Sequence, residues 1–176
     1  MCLALVAWLG SLSARAEEFA RRLSDMTGKS GVTEVEASIQ RLFTYAAWAD
    51  KFDGAAKSVP MRGVALAMNE PCGVIGALCP DEVPLLGLIS IMAPAIAMGN
   101  TCVLVPSEPF PLAATDLYQV LETSDLPAGV VNIVSGPRAE LADTLAKAQL
   151  PAASTRRLQV GEVTLSDAVR ARLPDA

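Results

Sequence analysis

The stretch GVIGALCPDEVPLLGLISIMAPAIAMGNTCVLVPS, residues 73–107, decides the fold. Its short apolar run Val74–Leu78 is typical of a strand that is buried on both faces. Pro84 stands where a first-turn helix proline is tolerated, and Leu85–Met98 is nearly uncharged but too short to span a bilayer. A second apolar run, Cys102–Val105, follows. Strand, helix and strand in this order predict a parallel pair joined by a crossover helix.

The carboxyl ends of these two strands are the expected place for a ligand, because open parallel sheets bind ligands beyond those ends. In this chain the first strand is followed by Cys79–Val83, and the second ends in Val105–Glu108. Both segments contain polar or charged residues after a wholly apolar run. We therefore expect a binding site, if the chain has one, to be built from these two segments.

These motifs resemble the cofactor-binding domain of the aldehyde dehydrogenase superfamily. There the first strand ends in Pro-Trp-Asn-Phe-Pro and the second in Lys-Pro-(small)-Glu; the corresponding segments here are Pro80–Pro84 and Val105–Glu108. Ala93–Thr101 is similar to the family's helix-end signature, and Leu126–Gly136 is similar to its Pro-x-Gly-Val-(x)-Asn-(x)-Val-(x)-Gly run. The resemblance covers residues 14–149. Its Cys-Pro-Asp-Glu turn is most similar to the second domain of the two-domain family-16 aldehyde dehydrogenases.

The resemblance implies an α/β fold, a partial Rossmann-like domain over residues 1–149, followed by an unrelated tail, 150–176. Three parallel strands are expected, with Val74–Leu78 either between its neighbours or at one end of the sheet. Gly63–Met68 is expected to be a strand of an antiparallel arm that mediates oligomer contact in the family. The helices and the two further parallel strands are predicted at Ala14–Met26, Val32–Phe52, Leu85–Met98, Cys102–Val105, Pro111–Glu122, Val130–Val134 and Arg138–Gln149.

Both ends of the chain leave two interpretations open. Met1–Gly10 is hydrophobic and precedes Ala14-Arg15-Ala16, as in a signal peptide, but no Lys or Arg precedes the apolar run. We favour a helix start or an alternative N-terminus. In the tail, Val160–Leu165 is either a strand followed by a short helix capped by Ser166, or part of a frayed end.

Composition excludes several classes of function. The chain has 176 residues, 52% of them hydrophobic, which is enough for one domain with a core and too apolar for a disordered chain. The net charge of -5 gives no basic footprint for nucleic acid, and the chain has no histidine to serve as a base or a metal ligand. Its four cysteines form no CxxC pair and lie mostly in apolar runs. This pattern indicates buried thiols in a reducing compartment, so we expect a cytoplasmic protein without a stable membrane span.

Catalytic residues of the family are not matched. Its nucleophilic cysteine and its glutamate base lie beyond the resembling region, so we assign no catalytic residue. The family's oxyanion-hole asparagine aligns with Glu82, whose carboxylate accepts a hydrogen bond but cannot donate one. Asp81 and Glu82 are better explained as anions at the N-terminus of the helix that begins at Pro84. Cys79 and Cys102 are expected to be core thiols.

The cofactor site is matched in part. The family's cofactor-binding lysine aligns with Val105, whereas Glu108 matches its ribose-binding glutamate and favours NAD over NADP. The structural alternative for Glu108 is a solvated loop residue. The resemblance places Gly136 near the pyrophosphate and adds three further cofactor-contacting positions, Cys79, Pro80 and Ser107. We expect NAD binding to be weak or absent.

Two functions from different classes follow. The first is an NAD-linked oxidoreductase acting on aldehydes, of which this chain is an incomplete and inactive portion. The second is a non-catalytic module that assembles with itself or with a longer aldehyde dehydrogenase subunit. A secreted or membrane-tethered protein is a third interpretation, and it depends on Met1–Gly10 alone.

Overall fold

The computed structural model describes residues 2–51, 54–60 and 63–148 of the chain. The predicted tail, 150–176, and its strand candidate Val160–Leu165 lie outside the described residues. The elements, in chain order, are α1 (Cys2–Ala14), α2 (Ala16–Thr27), α3 (Val32–Trp48), β1 (Gly54–Lys57), β2 (Ala65–Met68), β3 (Val74–Leu78), α4 (Pro84–Ala97), β4 (Thr101–Val105), α5 (Leu112–Glu122), β5 (Val131–Ile133) and α6 (Arg138–Lys147).

The N-terminal region has three helices rather than the predicted pair. Residues Cys2–Ala14 form α1, which buries Leu5, Trp8 and Leu12 in the main core. The backbone leaves the helical region at Arg15, and α2 begins one residue later. No described helix is both long and apolar enough to cross a membrane.

Helix α3 packs against α4. It ends at Trp48, four residues before Phe52, the predicted end of the helix. The helical spacing of its apolar residues predicts a buried stripe through Val35, Leu42, Phe43 and Ala46, and three of these four, Val35, Leu42 and Ala46, are buried. Phe43, and Trp48, which the same pattern predicts beside the stripe, are exposed.

A two-stranded antiparallel hairpin, β1–β2, separates the N-terminal helices from the sheet. The predicted strand Gly63–Met68 is shorter and is confirmed as β2, Ala65–Met68. Its partner β1, Gly54–Lys57, was not predicted, because it closely follows the predicted helix Val32–Phe52 and shows no alternation of apolar and polar residues. The register pairs Gly54 with Met68 and Lys57 with Ala65.

The parallel sheet has the order β3-β4-β5, with all neighbouring strands parallel. This confirms the predicted strands and places β3 at one end of the sheet instead of between its neighbours. Leu78 pairs with Val105 in the register of the first two strands. Their carboxyl ends therefore lie side by side.

Side-chain alternation divides the packing between the two faces of the sheet. Ala77 and Leu104 join the main core with α4 and α5, whereas Leu78 and Val105 form a second cluster with Ala142 of α6. Helix α6 thus crosses the opposite face and lies over β3 and β4. A helix that returns from the third strand to the first is typical of doubly wound sheets.

Candidate functional site

The site considered is the carboxyl edge, by which we mean Cys79–Glu82 after β3, Pro106–Glu108 after β4, and the first residue of α6, Arg138. The N–H of Cys79 donates to the carbonyl oxygen of Val105 at 2.8 Å, which extends the pairing of β3 and β4 one step into the edge. These segments meet because parallel strands place all their carboxyl ends on one side of the sheet.

An ion pair that the sequence did not predict bridges the carboxyl edge. Arg138 Nη2 donates to Asp81 Oδ1 at 2.6 Å and to the carbonyl oxygen of Cys79 at 2.5 Å. Ser107 Oγ donates to the same Asp81 Oδ1 at 2.8 Å. One carboxylate oxygen therefore joins the ends of β3 and β4 to the start of α6, and we call this arrangement the Asp81–Arg138 bridge.

Glu108 contacts α6 as well. It is exposed, and its Oε2 accepts a hydrogen bond from the backbone N–H of Arg138 at 3.1 Å. A carboxylate at this position satisfies one of the unpaired N–H groups of the helix and complements its positive end. The carboxylate that the resemblance assigns to a ribose is thus engaged within the protein.

The N-terminus of α4 is capped from a distance. Glu34 Oε1, on α3, accepts hydrogen bonds from the N–H groups of Leu85 at 2.8 Å and Leu86 at 3.0 Å. The described side-chain hydrogen bonds at this helix end therefore come from Glu34 rather than from Asp81 or Glu82, which were predicted as anions there. Asp81 bonds to Arg138 and Ser107 instead, and Glu82 is exposed.

The thiols of Cys79 and Cys102 are buried, as the sequence predicts, whereas that of Cys72 is exposed. Cys79 has no exposed surface, and burial raises its pKa to about 12; Arg138 opposes this rise, and Asp81 adds to it. Burial likewise raises the pKa of Cys102 to about 11. A thiol reacts as the thiolate, so neither cysteine has the electrostatic environment of a nucleophile.

The remaining predicted residues are Pro80, Val105 and Gly136, and none of their side chains makes a described hydrogen bond at the edge. Pro80 packs on α4, where a Cβ added to Gly87 would overlap its ring. Val105 is buried in the cluster beneath α6, and Gly136 lies in the loop between β5 and α6, close to Leu141. Of the predicted positions, Cys79, Pro80, Glu82, Ser107 and Glu108 thus belong to the carboxyl edge, whereas Val105 is buried beneath α6 and Gly136 lies in the loop that precedes that helix.

Sequence reasoning missed two residues, Glu34 and Arg138. Glu34 accepts a hydrogen bond from Leu85, 51 positions away in the chain. Arg138 donates one to Asp81, 57 positions away. Neither lies in a local motif. The only available signal was charge complementarity between Asp81 and a basic residue at a helix start.

The carboxyl edge does not fit a dinucleotide in this arrangement. Doubly wound sheets present a helix N-terminus and free polar groups to the pyrophosphate and ribose. Here Glu108 bonds to the first N–H of α6, and the Arg138 side chain lies across the end of β3. Among the described residues, no group of three or more His, Cys, Asp or Glu side chains is arranged to hold a metal ion.

Comparison with known proteins agrees with the fold. The model of the aldehyde dehydrogenase family matches residues 3–154. Phenylacetaldehyde dehydrogenase from Pseudomonas fluorescens is 38% identical over 146 residues, covering 77% of this chain and 29% of that protein. Human retinaldehyde dehydrogenase 3 is 43% identical over 105 residues, covering 58% of this chain and 20% of that protein.

Solved structures give the same result. An aldehyde dehydrogenase from Brucella melitensis superimposes with a TM-score of 0.79 at 27% identity, covering 83% of this chain and 31% of the other. An aldehyde dehydrogenase from Bacillus cereus, solved as an NAD+ complex, has the same TM-score at 25% identity and covers 84% and 31%. This chain spans less than a third of the length of these relatives. Since the family model matches most of its residues, the chain belongs to the aldehyde dehydrogenase family.

Proposed function

We propose that this chain provides the first half of the nucleotide-binding sheet of an NAD-linked, aldehyde-oxidising fold, and that it does not oxidise aldehydes by itself. Family membership and the NAD+ complex of a similar structure support the class of cofactor and substrate. The narrower likeness to the second domain of family-16 aldehyde dehydrogenases stays a prediction.

The observation that carries the proposal is the burial of the Cys79 thiol and its raised pKa. Cys79 is the one thiol at the carboxyl edge among the described residues, it is fully buried, and its pKa is raised to about 12. Aldehyde oxidation through a thiohemiacetal needs a thiolate that can reach the carbonyl carbon. A buried, protonated thiol cannot make that attack at neutral pH.

The oxyanion position supports the same conclusion. An oxyanion is stabilised by donors, and the loss of one typically costs about 2.7–4 kcal/mol of barrier. The resemblance aligns Glu82 with the donor, and a carboxylate at pH 7 only accepts. Its negative charge beside a developing oxyanion would raise the barrier further.

The test is an assay of NADH formation by the 176-residue chain, with phenylacetaldehyde and retinaldehyde, the aldehydes for which two relatives are named. No turnover is expected at high protein concentration. Turnover that is lost in Cys79→Ser or Cys102→Ser but kept in the matched control Cys72→Ser would overturn the proposal. Cys72 is the control because it is exposed and lies before the sheet.

The second candidate function is a non-catalytic module that assembles with itself or with a longer aldehyde dehydrogenase subunit. The observation that favours it is the β1–β2 hairpin, whose second strand exposes Leu66 and Met68. A two-stranded hairpin is marginally stable unless it packs against something. Co-purification of the chain with a longer subunit, lost when both residues are replaced by lysine, would support this function.

A further inference from the structure

We infer that the Asp81–Arg138 bridge holds the carboxyl edge closed, and that a dinucleotide enters only when this bridge is broken. The inference rests on the proposed function, because it concerns access to the proposed nucleotide site. Arg138 would then control binding from within the chain, as an autoinhibitory contact.

The first step is that the bridge spans the ends of the two strands beyond which a ligand is expected. Arg138 Nη2 lies 2.5 Å from the Cys79 carbonyl oxygen, at the end of β3, and 2.6 Å from Asp81 Oδ1. Through Asp81, it is connected to Ser107 at the end of β4. The crevice beyond these two strand ends is where doubly wound sheets bind nucleotides.

The second step concerns the helix N-termini that face phosphate groups in such folds. Glu108 accepts the N–H of Arg138 at the start of α6, and Glu34 accepts two N–H groups at the start of α4. A pyrophosphate placed at either helix end would meet a carboxylate. The repulsion between the two anions adds to the closure made by Arg138.

The third step is that the closed state can be opened. The Nε–H of Arg138 is buried and has no hydrogen-bond partner within the described part of the chain. An unpaired buried donor weakens the state that contains it. The Asp81 side chain is also 40% exposed, so water can take over its hydrogen bonds when the guanidinium leaves.

The opening is tested with the variants Arg138→Ala and Asp81→Asn of the full chain. Arg22→Ala is the matched control, since it removes another arginine ion pair, to Asp116 at 2.7 Å, away from the edge. Amide hydrogen exchange reports closure without any ligand, and calorimetric titration with NAD reports binding. Asp81→Asn keeps the side-chain shape and serves if Arg138→Ala does not fold.

If the bridge holds the edge closed, amide hydrogen exchange at residues 79–82 and 138–141 should be faster in both bridge variants than in the unaltered chain. In Arg22→Ala it should be unchanged there. Closure also predicts an NAD affinity at least about tenfold higher in the bridge variants, because a larger fraction of the protein is competent to bind. Measurable NAD binding with equal affinity in all variants, or exchange at the edge that stays as slow as in the unaltered chain, overturns the inference. Faster exchange with no NAD binding in any variant confirms the closure and overturns the proposed nucleotide function instead.

Discussion

Glu34 and Leu85 are joined by a hydrogen bond of 2.8 Å that ties the third helix to the first turn of the fourth. The same carboxylate oxygen accepts the N–H of Leu86 at 3.0 Å. Helix α4 has no side-chain cap of its own, since Val83 precedes it and Pro84 begins it. The helix that carries the centre of the core is therefore capped by a residue from another element.

Replacing Glu34 should destabilise the fold measurably. Glu34→Ala leaves two N–H groups of α4 without their acceptor, and we expect a loss of about 1–2 kcal/mol in the free energy of unfolding. Glu34→Gln keeps an acceptor oxygen and should lose less. Urea denaturation measures both, with the exposed residue Glu36 on the same helix as control through Glu36→Ala. Equal midpoints for the Glu34→Ala and Glu36→Ala variants would contradict the cap.

Gly31, the residue before α3, packs directly against α2. A Cβ at this position would lie 2.5 Å from the carbonyl oxygen of Ala20 and 2.9 Å from Leu23 Cβ. Its φ of -78° is open to any residue, so the need for glycine comes from packing alone. We expect Gly31→Ala to destabilise the chain by about 1–3 kcal/mol.

Gly10 is the matched control for this prediction. It lies on α1, and a Cβ there would meet no atom within 4 Å. Gly10→Ala should therefore stabilise the chain by up to about 1 kcal/mol, through helix propensity. Thermal unfolding shows whether each of the two substitutions raises or lowers the melting temperature. Shifts of the same sign would show that the α2–α3 contact is looser than described.

The three cysteines with described environments should differ sharply in reactivity. Cys72 is exposed, whereas the pKa values of Cys79 and Cys102 are raised to about 12 and about 11. We expect iodoacetamide at pH 8 to modify Cys72 in the native state and to leave the other two unmodified. Peptide mass spectrometry after quenching measures each site. Rapid modification of Cys79 would contradict its burial.

The same pKa values fix how stability depends on pH. A thiol in the unfolded chain titrates near 8.5, so above that pH the unfolded state releases protons that the folded state retains. Stability contributed by the neutral buried thiols is complete below about pH 8 and falls as pH rises toward the folded-state pKa values. Denaturation midpoints should decrease between about pH 9 and 11. Cys79→Ala should flatten that decrease, and Cys72→Ala should not.

The fold was predictable where local apolar pattern decides it. Val74–Leu78 is a strand over the predicted residues, because glycine precedes the run and Cys79-Pro80 ends it. Strand β1 was not predictable, since Gly-Ala-Ala-Lys has no β-branched or alternating residues and is a strand only through its pairing with β2. Phe43 and Trp48 were misplaced because periodicity gives the direction of a helix face but not its width.

The sequence predicted where the candidate site lies in the fold, but not the hydrogen bonds that join its residues. The doubly wound rule placed it after β3 and β4, and the structure gathers Cys79, Ser107 and Glu108 there. The bonds that close it join residues 26 to 59 positions apart. No local pattern encodes such contacts, because they depend on where α6 crosses the sheet.

The last prediction concerns association. The β1–β2 hairpin exposes Val64, Leu66 and Met68 at 77%, 66% and 71% of their surface, next to a strand pair with no third strand among the described residues. Apolar side chains on an unpaired edge favour pairing with another chain. We therefore expect the chain to self-associate, or to be stable only with a partner such as a longer aldehyde dehydrogenase subunit.

Sedimentation velocity over a dilution series measures this association. Leu66→Lys combined with Met68→Lys should shift the distribution toward monomer, because two charges cannot be buried in an apolar contact without a large desolvation cost. Val32→Lys is the control, since Val32 is 51% exposed at the start of α3. A monomer that melts cooperatively at micromolar concentration would contradict the prediction and would mean that the hairpin is stable without a partner.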